Sequence, residues 1–254
     1  MDSYRELKNK PLVEAIFEIR WALQQEGDTL SDPFFPLLVG SFHDKIKEKF
    51  PFWNKLPPAE MPPQITPYMA HHQFRKVENG WPLIQIGPGL LTVNDTDGYL
   101  WENFHKFCIE AIEVLFTTYP EAEESLKIIF VNLRYIDADY LEDLDPNAFA
   151  QKLKVNISVP ESLFEDDNVI SPPLNLKLQL DYKTKIPTGI TRIKISSGQK
   201  QSRDAIIWET GVISINEDVP SFPGKCTEWL RDAHSITHNW FFELTKGELL
   251  EKYL

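Results

Sequence analysis

The chain has 254 residues, 26 basic and 38 acidic side chains, a net charge of −12 with histidines neutral, and 42% hydrophobic residues. That length exceeds a usual single domain, suffices for a core without disulfide or metal staples, and its composition excludes extended disorder. The acidic balance argues against nucleic acid and against an anionic membrane surface, both of which need cationic contacts.

The N-terminus Met1-Asp2-Ser3-Tyr4-Arg5-Glu6 lacks the apolar run of a secretory signal. No stretch approaches the roughly 18 apolar residues of a membrane span. Two cysteines, Cys108 and Cys226, fall in helical patterns and form no framework, which fits a reducing compartment. A cytoplasmic location is expected.

Residues 12–23 alternate, with Val13, Ala15, Phe17, Ile19 and Trp21 on one side and Glu14, Glu18 and Arg20 on the other. Period two with a polar second face predicts a half-buried antiparallel strand. Ser31-Asp32-Pro33 predicts a helix cap, and the helix that follows carries Phe35, Leu38, Val39, Phe42, Ile46 and Phe50. Pro51 ends it, and the prolines at 57–58 and 62–63 predict a loop. Strands are expected at 65–77 and 81–87, with a turn at Asn79-Gly80. Gly87-Pro88-Gly89 makes a break before a strand over 90–94, and a helix is expected at 98–118. The second half predicts a strand at 126–137, a short helix capped by Asp145-Pro146, strands at 174–184, 189–197 and 205–216, and a long helix at 223–251.

Each half thus reads strand, helix, three strands, helix. Phe17-Glu18-Ile19-Arg20-Trp21 matches Val131-Asn132-Leu133-Arg134-Tyr135 in pattern, and Gly89–Asp95 matches Gly211–Glu217. The expected fold class is α+β: a tandem pseudo-repeat, residues 1–122 and 123–254, packed as one compact unit. Its antiparallel sheet or sheets would be backed by long helices, as in TATA-binding-protein-like or helix-grip-like folds.

Lys10-Pro11-Leu12-Val13-Glu14-Ala15-Ile16-Phe17-Glu18-Ile19-Arg20 and Gly87–Asp95 leading into Tyr99-Leu100-Trp101-Glu102-Asn103-Phe104 carry a resemblance, as do Leu133–Ile136 and Trp229–His234. Together they resemble the TIGR04255 family, a sporadically distributed bacterial group of unassigned activity. The resemblance implies a bacterial cytoplasmic protein. The chain departs from that pattern at Asp137, where Asn-Arg is expected after Ile136; any ligand role of that pair would be altered here.

Motifs that announce an enzyme are missing: no phosphate loop, no Gly-x-Ser-x-Gly elbow, no His-Glu-x-x-His and no dinucleotide fingerprint. No cofactor is expected. His234 and His238 share one face of the last helix and are weak metal candidates, with His105 as a possible third ligand. The acidic group Asp137, Asp139, Glu142, Asp143 and Asp145 lacks the glycine and distal glutamate of a calcium loop and predicts a solvated connection, as does Glu165-Asp166-Asp167. Residues 198–204 predict a polar contact loop.

The strand face away from the helices collects Glu14, Glu18, Arg20, Asn132, Arg134, Asn175, Lys177, Gln179, Asp181, Arg192 and Lys194. Basic side chains outnumber acidic ones there, and arginine suits carboxylate or phosphate. The expectation is a non-catalytic binding module. Its partner-binding residues would be Glu14, Glu18, Arg20, Asn132, Arg134, Lys177, Arg192 and Lys194. They would meet a partner protein, as a regulator, immunity or defence-associated component does, with a homodimer as one possibility. The alternative is a sensor of a small anionic ligand, and a third reading is a hydrolase or transferase using the helix histidines.

Overall fold

The structure is a computed structural model and describes residues 7–62, 65–96, 98–142, 145–164, 168–169 and 173–254. Strand β1 (Leu12–Trp21) keeps the alternation read from its sequence. Ala15, Phe17, Ile19 and Trp21 are fully buried under the helices. A small hairpin of β2 (Gln24–Glu26) and β3 (Thr29–Ser31) follows, then helix α1 (Phe35–Ile46). Asp32 does not cap α1, whose first turn carries Pro36 and follows Phe34. Its buried carboxylate accepts instead from Trp21 Nε1 at 2.9 Å, Tyr119 Oη at 2.8 Å, and the Phe34 and Gly89 amides. Four donors from four segments converge on one carboxylate.

The remaining first-half strands are β4 (Phe52–Lys55), β5 (His72–Arg75), β6 (Leu83–Gly87) and β7 (Leu90–Asp95). Four strands therefore follow α1 rather than three: residues 52–55 pair with 72–75 although the proline-rich stretch after them is indeed irregular. The β6–β7 hairpin turns on Pro88-Gly89, with Gly89 at φ +75°, the residue order that a type II turn requires. Helices α2 (Trp101–Thr118) and α3 (Ala122–Ser125) lead to β8 (Ile128–Tyr140). Helix α4 (Pro146–Lys152) has the predicted cap, Asp145 Oδ1 accepting from the Asn147 and Ala148 amides. Strands β9 (Lys177–Lys185), β10 (Thr188–Lys200) and β11 (Arg203–Ile215) precede α5 (Cys226–Thr245) and α6 (Glu248–Tyr253). The predicted contact loop at 198–204 is mostly strand, turning tightly at Gln201-Ser202. The expected single last helix is broken at Gly247, φ +100°, which lets α6 turn back.

Nine strands form one antiparallel sheet in the order β4-β5-β6-β7-β1-β8-β11-β10-β9. The two central strands, β1 and β8, come from opposite halves of the chain, so the sheet runs unbroken across residue 122. The chain is α+β, with its helices on one face. Among the described residues no helix is long and apolar enough to cross a membrane. Edge strand β9 has Lys177, Lys183 and Lys185 along it, which opposes pairing with another strand.

The helix side contains two apolar clusters. The larger joins Phe17, Ile19, Trp21, Leu133 and Val212 of the sheet to Leu38 and Phe42 of α1, Phe104 and Ile112 of α2, and Trp229 and Leu230 of α5. The smaller joins Ile193, Ile195, Ile206 and Trp208 to Phe149 of α4 and to Leu249 and Tyr253 of α6. Between them the helix-facing positions turn polar in three neighbouring elements. Strand β8 passes from Leu133 through Tyr135, Asp137 and Asp139 toward Leu141 just past its end, β11 passes from Trp208 through Thr210 to Val212, and α5 passes from Leu230 through His234, Thr237 and His238 to Phe241. These interruptions lie at one level, because Tyr135 pairs with Thr210 and Asp137 with Trp208.

Candidate functional site

The polar residues predicted as a binding face do lie on the side of the sheet away from the helices, but they are largely engaged with one another. Arg20 donates to Glu18 at 2.6 Å and stacks at 4.8 Å from the Phe130 ring and 5.5 Å from that of Tyr68. Glu14 accepts from Asn94 at 2.8 Å. Arg192 makes a two-pronged contact with Asp181 at 2.6 and 2.8 Å, which holds that carboxyl below its ordinary range. Lys194 and Arg134 share Glu209, at 3.1 and 3.6 Å. Glu209, absent from the tally of charges read from sequence, offsets the expected basic excess. Lys177 is exposed on edge strand β9, away from the central group. Asn132, 6% exposed, has an Oδ1 without a partner. One end of this face is covered by the segment around Tyr68 and Met69, so close that a side chain at Gly87 would meet the Met69 carbonyl oxygen at 1.8 Å.

The His234 and His238 ring centroids are 5.5 Å apart, and among the described residues no three His, Cys, Asp or Glu side chains are grouped to hold a metal. His234 is instead part of a hydrogen-bonded chain. Its Nδ1 is 2.9 Å from Tyr135 Oη, which is 2.9 Å from Tyr99 Oη. The Trp101 ring stacks on the imidazole at 3.7 Å and 6°. Burial, with His238 and His105 nearby, pushes the His234 pKa down to about 3, so the ring is neutral throughout the physiological range.

This chain forms one wall of a cavity of about 520 Å³ at the polar seam between the two clusters. Tyr99, Leu100 and Trp101 close it from the start of α2, His234, Thr237, His238, Phe241 and Phe242 from α5, and Tyr135, Asp137 and Thr210 from the sheet. Leu7, Lys10, Pro11 and Leu12 complete it, with Lys10 Nζ bound to the Tyr99 carbonyl oxygen at 2.9 Å. Asp137 is 3% exposed, and burial raises its pKa to about 7, with only partial relief from Lys200. The Lys200 ammonium hydrogen-bonds the Ala138 carbonyl oxygen rather than Asp137. Thr210 Oγ1 and His234 Nε2 are buried without partners. An aromatic cavity of this size with a few convergent polar groups has the form of a small-molecule site.

No family model, curated protein or solved structure matches the chain.

Sequence reasoning found His234 and His238 but missed Asp137, Tyr135, Thr210, Tyr99 and Trp101 as a group. The sequence places Asp137 at the end of a strand over 126–137 and at the start of a solvated acidic connection, whereas β8 continues to Tyr140 and carries both Asp137 and Asp139 inward. Asp139 is held by Lys252 at 2.9 Å and by Tyr253 Oη at 2.9 Å. Asp143 and the Glu165-Asp166-Asp167 turn lie outside the described residues. The missed signal was the helix-facing series of β8 extended by three residues, which sets carboxylates where hydrophobic residues belong.

Proposed function

We propose that the protein is a binding module whose ligand is a small, largely apolar molecule held in the cavity between the sheet, the start of α2 and α5. The observation that carries this reading is the placement of Asp137, Thr210 and His234 in the wall of one aromatic cavity. Buried polar groups are nearly always paired in native structures, and Asp137, in the cavity wall and 3% exposed, has among the described residues no hydrogen-bonding or ion-pair partner, which suits a ligand that supplies one. The Trp101–His234 stack and the Tyr99–Tyr135–His234 chain hold the walls in place before a ligand arrives, which reduces the ordering cost of binding.

The test is thermal unfolding with indole at millimolar concentration. Indole is expected to raise Tm in the wild type, because a ligand of the folded state alone stabilises it. Thr237→Phe, which places a ring in the void from a residue only 1% exposed, is expected to remove that rise. An unmoved Tm with indole in the wild type contradicts the reading.

The two flanks of the sheet are in our reading copies of one ancestral unit, in the manner of TATA-binding-protein-like folds. The order outward from the central pair supports it: β1 is followed by β7, β6, β5 and β4, and β8 by β11, β10 and β9. In each flank a helix follows the central strand and a long helix follows the last. A second reading keeps a partner protein on the polar face, as expected from sequence. It is favoured by Arg20, Arg134, Arg192 and Lys194 standing together with Glu18, Asp181 and Glu209 on that face.

A further inference from the structure

We propose that the cavity selects a ligand bearing a protonated amine on an apolar or aromatic body, with the Asp137 carboxylate as its counter-ion. This deepens the reading above and rests on it.

Among the described residues Asp137 and Glu102 are the two carboxylates in the cavity wall. Among the described residues Asp137 has neither a hydrogen-bonding cation nor an ion pair, unlike its neighbour Asp139, which has both a lysine and a tyrosine. Lys200, whose charge acts on Asp137, and Lys10, in the cavity wall, hydrogen-bond the Ala138 and Tyr99 carbonyl oxygens rather than a carboxylate. A buried carboxylate without a counter-ion is an electrostatic vacancy that an ammonium group fills.

Thr210, 1% exposed, lies on the same sheet wall as Asp137. Around these groups the wall is aromatic, formed by Tyr99, Trp101, Tyr135, Phe241 and Phe242. Aromatic faces attract cations through the negative potential above the ring, most strongly where water is excluded. Among the described residues Lys10 is the one lysine or arginine in the wall, against the two carboxylates Asp137 and Glu102. Glu102 in the cavity wall and the net charge of −12 add attraction for a cation approaching from solution.

The experiment is calorimetric titration of the wild-type protein at pH 8 with three probes of nearly equal shape: 2-phenylethylamine, 2-phenylethanol and phenylacetate. The amine is expected to bind at least about ten-fold tighter than the alcohol, a typical worth of a desolvated charge-assisted hydrogen bond. Phenylacetate is expected to bind weakest. Asp137→Asn is expected to bring the amine to the level of the alcohol while leaving the alcohol unchanged. If the alcohol or the carboxylate binds as tightly as the amine, the assignment of charge is wrong and the cavity reading survives. If no probe of any charge binds, the cavity reading itself fails. The wild-type series decides between these outcomes even if the variant folds poorly.

Discussion

Replacing Asp32 with alanine is expected to lower the free energy of unfolding by about 3 to 5 kcal/mol, the range for removing one member of a buried charged network. The carboxylate is 7% exposed and joins β1 through Trp21, the end of α2 through Tyr119, the β6–β7 turn through Gly89 and the entry to α1 through Phe34. Without it the indole N–H and the phenol are left inside the larger core with nothing to donate to, since Tyr119 is itself 6% exposed. Asp32→Asn keeps one acceptor oxygen and is expected to cost about half as much, because a neutral acceptor makes weaker hydrogen bonds than a carboxylate. Urea unfolding followed by tryptophan fluorescence measures both. Asp32→Ala within about 1 kcal/mol of wild type would place Asp32 among ordinary helix caps.

The second large effect concerns pH. In the unfolded chain Asp137 releases its proton near its ordinary value of 3.8, whereas in the folded protein burial raises that point to about 7. Between those values the folded state holds a proton that the unfolded state has lost, so Asp137 makes stability fall as pH rises across the window. The full penalty applies above about pH 7 and amounts to about 2 to 4 kcal/mol. His234 acts in the opposite sense. Its folded pKa of about 3 lies below the ordinary 6.5, so its contribution is present above pH 6.5 and is lost as pH falls toward 3. Over the shared interval the two slopes offset each other. Asp137→Asn is therefore expected to match the wild type near pH 4, to gain stability as pH rises, and to exceed it at pH 8 by the full penalty. Equal stabilities of variant and wild type at pH 4, 6 and 8 would show that Asp137 is not buried against the helices.

The same residues show how far sequence carries. The alternation of Ala15, Phe17, Ile19 and Trp21 announced β1 and its buried side, because period two is set by the pleat and not by tertiary context. The Asp145-Pro146 cap was readable for the same reason, being a contact within one turn. Asp32-Pro33 has an identical local signature and a different role, decided by Trp21 and Tyr119, which lie 11 and 87 residues away. Strand β4 escaped notice since its residues are exposed on both faces and carry no alternation. The polar face was located correctly, but its charges were counted without the register. Only the pairing of Glu209 beside Lys194 and the pairing of Arg192 with Asp181 show that those cations are already matched. The cavity depended on register most of all. Tyr135, Thr210 and His234 are unremarkable in three separate segments and meet only when β8, β11 and α5 are stacked.

A crystal structure of the protein with 2-phenylethylamine at saturating concentration tests the central claim most directly. The phenyl ring is expected between Trp101 and Phe241, and the nitrogen within about 3 Å of an Asp137 carboxylate oxygen, the distance of a charge-assisted hydrogen bond. A cavity containing only water, with the amine absent or bound on the polar sheet face beside Asn132 and Glu209, would contradict it.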